Sequence, residues 1–192
     1  DGTNRFVYAA NLGADHLLEF KFDAASGKLT ALGQVKLPEG SGPRHPVISP
    51  DNRFLYLLNE MAGSVTTFAI DPKTGRLTGL ADVGAIPADS GLVRGVARPM
   101  LKPGQPTPPP LAPNLIWAAD IKLTPDGRYL YTSERTGSTV SVFAIDSKTG
   151  LPGFVQNIKV EQQPRGMALD PSGQWLLVSG EKSPQVGVYA ID

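Results

Sequence analysis

The sequence contains no cysteine, which excludes a disulfide framework, a thiolate metal site and a cysteine nucleophile. It also lacks an excess charge of either sign, because 18 Lys and Arg residues balance 18 Asp and Glu residues. A nucleic-acid or anionic-membrane surface needs a basic excess, so we expect neither partner. No apolar run approaches the roughly 20 residues that a membrane-spanning helix needs. Its two histidines, His16 and His45, lie in different repeat units without an aspartate cluster beside them, so we expect no metal and no other cofactor.

Aromatic residues are also scarce, at 7%, whereas Gly (21) and Pro (18) are plentiful. This balance is typical of many short strands joined by tight turns, and it does not suit long helices. The phosphate-binding, dinucleotide-binding, zinc-protease and serine-hydrolase motifs GxxxxGK[ST], GxGxxG, HExxH and GxSxG are all absent.

The strongest feature of the sequence is an internal repeat. Copies of one element, NRFVYAAN in its first form, begin at Asn4, Asn52, Gly127 and Gly173. Copies of a second element, ending in the pattern FAID, begin at Phe20, Phe68, Phe143 and Tyr189. Both elements recur in steps of 48, 75 and 46 residues, which chance does not explain.

Each repeat unit reads as four short strands, because runs of β-branched and aromatic residues alternate with Pro, Gly, Asp and Asn. Four strands in each 46–48-residue unit predict an all-β fold, the β-propeller built of four-stranded antiparallel blades. Frequent Gly and Pro would break the helices of a solenoid, and a β-sandwich does not predict a repeat. Trp175 occupies the repeat position of Phe6, Phe54 and Tyr129, so we expect it to pack in the interior.

We expect residues 1–192 to form a single β-propeller domain or a fragment of one. The predicted blades are 1–42, 43–84, 115–162 and 163–192, with a Pro-rich insertion at 85–114. The first blade lacks its innermost strand and the fourth lacks its outermost strand, so two blades are whole and two are incomplete. Because open sheet edges favour pairing, the remaining blades of a propeller or a second chain are expected as partners. A closed ring of these four blades is the arrangement we expect least, because two of the blades lack a strand.

Antiparallel topology predicts which charged residues share a face. We label the four strands of a blade a to d from the axis outward. Because neighbouring strands are antiparallel, the turn between b and c lies on the same face of the propeller as the connection from strand d to strand a of the next blade. Charged residues of these segments include His16, Arg44, His45, Glu60, Asp120, Arg135 and Arg165. The connections lead into the innermost strands, so Arg44, His45, Asp120 and Arg165 should ring the central channel. His16 and Asp120 are candidates for contacts to a substrate.

The residue types on this face suit chemistry on an anionic ester. Arginine binds carboxylate or phosphate in a bidentate manner, and cations stabilise the oxyanion of acyl transfer. A carboxylate or an imidazole can activate water. The Pro-rich insertion belongs to the same face, where a lid or binding loop and a tolerated surface insertion are equally good interpretations. Loop ends of a β-protein are polar in any case, so the residue types alone leave the function open.

Three segments resemble consecutive blades of the lactonase family of seven-bladed β-propellers, namely LPEGSGPRHPVISPDNRFLYLLNEMAGSVTTFAID, AADIKLTPDGRYLYTSERTGSTVSVFAID and QQPRGMALDPSGQWLLVSGEKSPQVGVYAID. The motifs PRH, NE, AAD-I and PRG follow one another in this order, and the resemblance covers nearly all of the chain outside the insertion. It implies a metal-independent lactonase with its site in the cleft at the propeller axis. Seven blades of about 47 residues need roughly 330 residues, so about three blades would lie outside this chain, on its N-terminal side.

By motif, the resemblance implies a site formed by Arg44, His45, Glu60, Arg135 and Arg165. Glu60 or His45 would act as general base on the water that attacks the lactone carbonyl. Arg135, with Arg44, would hold the developing oxyanion, and Arg165 would help Arg44 to orient the substrate.

One departure from the family pattern is SER at 133–135, where SNR is expected. Glu134 would weaken the binding of a phosphate beside Arg135, so both 6-phosphogluconolactone and gluconolactone are considered as the small-molecule substrate. A phosphorylated substrate would imply a cytoplasmic location, and gluconolactone would permit a periplasmic one.

Two other functions stay open. A carboxymuconate-type lactonising cyclase would use the same cations, and a non-enzymatic propeller would bind another protein through the same face. An enzyme needs Arg44, His45, Glu60 and Arg135 to converge, whereas a binding module would disperse them over a flatter surface.

Overall fold

The computed structural model describes residues 1–97, 104–106 and 109–191, and in these ranges strands dominate. The strands are β1 (Phe6–Asn11), β2 (His16–Asp23), β3 (Lys28–Lys36), β4 (Pro43–Ile48), β5 (Phe54–Asn59), β6 (Ser64–Ile70), β7 (Leu77–Gly84), β8 (Ala118–Leu123), β9 (Tyr129–Glu134), β10 (Thr139–Ile145), β11 (Pro152–Lys159), β12 (Pro164–Leu169), β13 (Trp175–Gly180) and β14 (Val186–Ala190). A 3-10 helix covers Leu12–Ala14. Within the described ranges, no helix has the length and apolar character needed to cross a membrane.

The strands form four antiparallel sheets in which each strand pairs with its neighbours along the chain. The sheet orders are β1-β2-β3, β4-β5-β6-β7, β8-β9-β10-β11 and β12-β13-β14. The predicted all-β propeller fold is thereby confirmed, with two four-stranded and two three-stranded blades in the described part of the chain. By the repeat, the first sheet begins at strand b and the last ends at strand c.

The sheets pack face to face around a common axis, with β4 against β8 and β8 against β12. The core lies between neighbouring sheets. Leu17, Leu55 and Phe68 belong to the layer between the first and second sheets, and Tyr56 and Phe143 belong to the layer between the second and third. Four consecutive residues of β5, 55–58, are fully buried because that sheet has a neighbour on each face.

Trp175 was predicted to pack in the interior, but 46% of its surface is exposed. At the same repeat position, Phe6 and Phe54 each lie against a glycine of the next blade, Gly75 and Gly150 respectively. In the described residues no further blade follows β14, so no such turn covers Trp175.

The described ends of the Pro-rich insertion lie against the second blade. Val93 forms a parallel bridge with Leu115, and the Gly95 amide donates to the Met61 carbonyl at 2.8 Å. Met61 follows Glu60 directly, so these ends border the predicted face. The rest of the insertion, at 98–103, 107 and 108, lies outside the described residues, and its role stays a prediction.

Candidate active site

A β-bulge lies in the innermost strand of three blades, where the candidate residues occur. In β4, Arg44 and His45 together stand opposite one residue of β5. The same irregularity occurs at 119–120 in β8 and at 165 in β12. A bulge re-aims the side chains of a strand. Here both Arg44 and His45 contact β8, whereas adjacent side chains of a regular strand point to opposite faces.

Glu60 joins two arginines that belong to neighbouring blades. Its Oε2 accepts a hydrogen bond from Arg44 Nη1 at 2.8 Å, and its Oε1 accepts one from Arg135 Nη2. Arg44 also donates through Nε to the Ala119 carbonyl at 2.7 Å. Glu60 is only 6% exposed. The carboxylate therefore fixes two guanidinium groups side by side at the inner ends of the second and third blades.

Arg135 lies in a confined, cationic environment. Its Nε donates to the Trp117 carbonyl at 2.9 Å, and its guanidinium carbon lies 5.9 Å from the centre of the Trp117 ring. Burial lowers the pKa of Arg135, Glu60 opposes this effect, and the guanidinium groups of Arg44 and Arg165 add to it. Arginine stays protonated in proteins. Arg135 thus keeps a positive charge that could stabilise an oxyanion, while Glu60 and Glu181 offset part of the charge of the three guanidinium groups.

His45 is paired with Asp120 of the next blade. The distance from His45 Nδ1 to Asp120 Oδ1 is 3.1 Å, and the His45 side chain is 48% exposed. Asp120 Oδ1 also accepts from Lys122 Nζ and from the Ile121 amide, each at 2.9 Å, and Oδ2 accepts from the Met167 amide at 2.8 Å. Burial acts to raise the pKa of Asp120, but the hydrogen bonds from His45, Met167 and Lys122 outweigh it and lower the pKa.

The remaining candidates lie outside this network. Arg165 Nη1 contacts Glu181 Oε1 at 3.0 Å, and both side chains are about half exposed. His16 begins β2 in the first blade, and in the described part of the chain no hydrogen bond or ion pair joins it to the other candidates. The structure therefore brings Arg44, Glu60 and Arg135 together and places the His45–Asp120 pair beside them.

Glu134 forms contacts that the sequence did not indicate. Its carboxylate accepts hydrogen bonds from the backbone amides of Trp117 at 2.9 Å, Thr136 at 3.0 Å and Gly137, and the residue is buried. Among the described residues it makes no ion pair with Arg135. Glu134 thus organises its own turn. These hydrogen bonds do not remove its negative charge, so the weaker binding of a phosphate beside Arg135 stays a prediction.

Sequence reasoning missed three groups at this site: the Lys122 ammonium, the Trp117 carbonyl and the Met167 amide. Lys122 could have been found, because side chains two residues apart lie on the same side of a strand, as Asp120 and Lys122 do. The two backbone groups come from neighbouring segments, and no residue type marks them. In the described ranges no group of three or more His, Asp or Glu residues is arranged to hold a metal ion.

Sheets of this topology stacked about an axis, with a charged cluster at their inner ends, define the class of β-propeller proteins. The chain belongs to the family described as Lactonase, 7-bladed beta-propeller, whose model matches residues 1–192. The predicted family resemblance is thereby confirmed.

Individual relatives agree with this placement. Over 194 residues the chain is 32% identical to the 6-phosphogluconolactonase of Yersinia enterocolitica, an alignment that covers 100% of this chain and 51% of the relative. Over 76 residues, 40% of this chain and 23% of the relative, it is 50% identical to the 6-phosphogluconolactonase of Photorhabdus laumondii. The structure of the periplasmic gluconolactonase of Pseudomonas aeruginosa is similar with a TM-score of 0.78 at 31% identity, covering 98% of this chain and 47% of that one. The chain thus spans about half the length of these relatives, or less.

Proposed function

We propose that the protein containing this chain is a lactonase that hydrolyses a sugar-acid lactone, 6-phosphogluconolactone or gluconolactone. The observation that carries the proposal is that Glu60 binds the guanidinium groups of both Arg44 and Arg135. Beside them, Asp120 binds one nitrogen of the His45 imidazole. Two fixed cations beside a candidate base are what water attack on an ester carbonyl requires. The names of the relatives, which include lactonases for both substrates, support the same reaction class.

The geometry favours His45 over Glu60 as the general base. Both oxygens of Glu60 already accept hydrogen bonds from guanidinium groups, and the residue is buried. His45 has one nitrogen at Asp120 and its ring is half exposed, and its second nitrogen has no hydrogen-bond partner among the described residues. We therefore assign proton transfer to His45 and the placement of the two arginines to Glu60.

Hydrolysis then proceeds in two steps. The free nitrogen of His45 takes a proton from water while the water oxygen bonds to the lactone carbonyl carbon. Arg135 and Arg44 hold the negative charge that develops on the carbonyl oxygen. The bond from this carbon to the ring oxygen then breaks, and the leaving oxygen takes the proton from His45 to give the open hydroxy acid.

Arg165 offers a contact for the phosphate of a phosphorylated lactone. Arg165 is half exposed and lies close enough to influence the pKa of Arg135, so it can orient an anionic group of the substrate. Glu134 makes no ion pair with these arginines among the described residues, but it adds a negative charge beside Arg135, so gluconolactone is kept as the second candidate substrate. On this proposal the protein acts in the cytoplasm if its substrate is 6-phosphogluconolactone, and a periplasmic location stays possible for gluconolactone.

The rest of the propeller also belongs to the proposal. We infer that residues 1–192 contribute a single propeller domain or part of one, and that the remaining blades or a second chain pair with the edges of the two three-stranded sheets. Neither a nucleic acid nor a membrane is part of the proposed function.

The test is a substrate panel with the full-length protein: 6-phosphogluconolactone, gluconolactone and a carboxymuconate. Arg135→Ala is expected to lower kcat for lactone hydrolysis about 100-fold or more, because it removes a donor to the oxyanion. Glu60→Gln is expected to lower kcat as well, because it loosens both arginines. Arg128→Ala is the matched control, since Arg128 pairs with Asp126 in a turn at the opposite end of the blade.

Near-wild-type rates in both Glu60→Gln and Arg135→Ala would contradict the proposed function. Turnover of the carboxymuconate alone would identify a lactonising cyclase instead. A protein that turns over none of the three compounds would favour the protein-binding alternative.

A further inference from the structure

We infer that Asp120 is a positioning residue, which fixes the tautomer and the orientation of the His45 ring across the boundary between the second and third blades. The catalytic consequence rests on the proposed function, because there His45 is the general base. The tautomer itself is a property of the folded protein and can be tested without a substrate.

Asp120 has little capacity left to bind a substrate, which is the role that the sequence suggested for it. It is 5% exposed. Besides His45 Nδ1, its carboxylate accepts hydrogen bonds from the Ile121 amide, Lys122 Nζ and the Met167 amide. Such a carboxylate is directed at the protein and not at the channel.

The donors around Asp120 determine where the His45 proton lies. Two backbone amides and an ammonium group all donate to this carboxylate, so the carboxylate acts as an acceptor throughout. The nitrogen that faces it, His45 Nδ1, must then carry a proton. In the neutral ring, Nε2 is therefore the unprotonated nitrogen, which is the form that a general base needs.

Among the described residues, Asp120 is the charged group that forms a hydrogen bond with the His45 ring. The strands that pack against β4 are β1, β5 and β8. The titratable side chains of β1 and β5 are Tyr8 and Tyr56, whose hydroxyls donate to glycine carbonyls of other blades. Arg44, on β4 itself, is engaged by Glu60. Of the charged groups on these strands, Asp120 and Lys122 of β8 therefore remain as the ones that can face His45.

Three blades contribute to this arrangement. His45 lies in β4 of the second blade, Asp120 in β8 of the third, and the Met167 amide in β12 of the fourth. The fourth blade thus helps to fix the Asp120 carboxylate, which in turn orients His45. Correct packing between blades is a condition for the correct orientation of the ring.

The first arm of the test measures the tautomer directly. In the intact protein, long-range 1H–15N NMR spectra should show His45 as the Nδ1–H tautomer at a pH where the ring is neutral. A His45→Gln variant identifies the signals by their loss. An Nε2–H tautomer in the wild type would overturn the inference, whether or not the protein hydrolyses lactones. An Nδ1–H tautomer in a protein without lactonase activity would support the positioning role and contradict the proposed function.

The second arm is Asp120→Asn, with Asp126→Asn as the control in the turn at the opposite end of the same blade. The amide of Asn can donate to Nδ1, so His45 should shift toward the Nε2–H tautomer. We expect kcat to fall at least about tenfold with little change in KM.

The control should keep the wild-type tautomer and the wild-type kcat. A folded Asp120→Asn protein with the wild-type tautomer and the wild-type kcat would overturn the inference. If Asp120→Asn does not fold, the spectrum of the wild type decides.

Discussion

At the scale of single residues, two blades carry the same ion pair in different surroundings. Arg44 and Glu60 are 16 residues apart, as are Arg165 and Glu181. The first pair is largely buried, and its arginine also donates to the Ala119 carbonyl. The second pair is about half exposed. Since exposed ion pairs contribute little and buried ones are costly to break, the two arginines should differ in their effect on stability.

We predict that Arg44→Lys lowers the free energy of unfolding by about 1–3 kcal/mol, because one ammonium cannot reproduce both hydrogen bonds of the guanidinium. Arg165→Lys, the matched control, should change it by less than about 0.5 kcal/mol. Urea denaturation followed by circular dichroism measures both values. Equal effects of the two substitutions would contradict the difference in burial on which this prediction depends.

At the scale of structural elements, the turns between strands c and d fix each blade against the one before it. Gly27, Gly75 and Gly150 occupy the same repeat position, with φ angles of 70°, 72° and 72°. A Cβ added at Gly150 would lie 2.6 Å from ring carbons of Phe54, whereas one added at Gly27 would have nothing within 4 Å. The same backbone conformation is therefore combined with close packing in one blade and with open space in another.

Gly150→Ala is accordingly predicted to lower the free energy of unfolding by more than about 2 kcal/mol, through the unfavourable φ angle and the overpacking against Phe54. Gly27→Ala should cost about 1 kcal/mol, because only the φ angle opposes it. Thermal and urea denaturation of both variants separate the two contributions. A similar loss of stability in both variants would show that the contact between blades adds nothing.

The sequence predicted elements better than it predicted contacts. The repeat defines the strands, and antiparallel topology brings Arg44 and Glu60 to the same end of the blade, where their side chains do meet. The bulge at Arg44 and His45 could not be read from the repeat, because a bulge is visible only in the pairing of two strands. The direction of Glu134 was missed for a related reason. Its partners are backbone amides of its own turn and of Trp117, and their positions depend on the path of the chain.

At the scale of the whole molecule, aspartates in turns recur through all four blades on the face opposite the candidate site. Burial acts to raise the pKa of Asp51, but hydrogen bonds from Ser49 and Arg53 outweigh it and lower the pKa to about 2. The hydroxyl of Thr124, with Arg128, lowers the pKa of Asp126 to about 2. Hydrogen bonds from turn hydroxyls and backbone amides also lower the pKa of Asp23, Asp71, Asp146 and Asp170.

These turns make the stability of the whole molecule depend on pH in the acid range. A carboxyl whose pKa is lower in the folded state stabilises the fold above the unfolded value, near 3.8, and loses this contribution as pH falls toward its folded value. We predict that the urea midpoint at constant ionic strength falls steadily from about pH 4 to about pH 2. Asp170 is half-buried and the other five aspartates are solvent-exposed. Each contributes little, but the repeat places one or two such turns in every blade.

The double variant Asp51→Asn, Asp126→Asn should flatten this dependence, because an amide binds no proton in this range. The amide oxygen can keep the hydrogen bonds from the turn hydroxyl and the backbone amide, whereas the bond from the arginine Nε is lost. Asp89→Asn is the control, since Asp89 accepts no hydrogen bond from the described residues. Comparing urea midpoints of the three proteins between pH 2 and pH 6 isolates the contribution of the turns from the general effect of charge. A double variant with the wild-type pH dependence would mean that the acid sensitivity of the propeller arises elsewhere, with the buried carboxyl of Asp120, whose pKa is also lowered, as the next group to test.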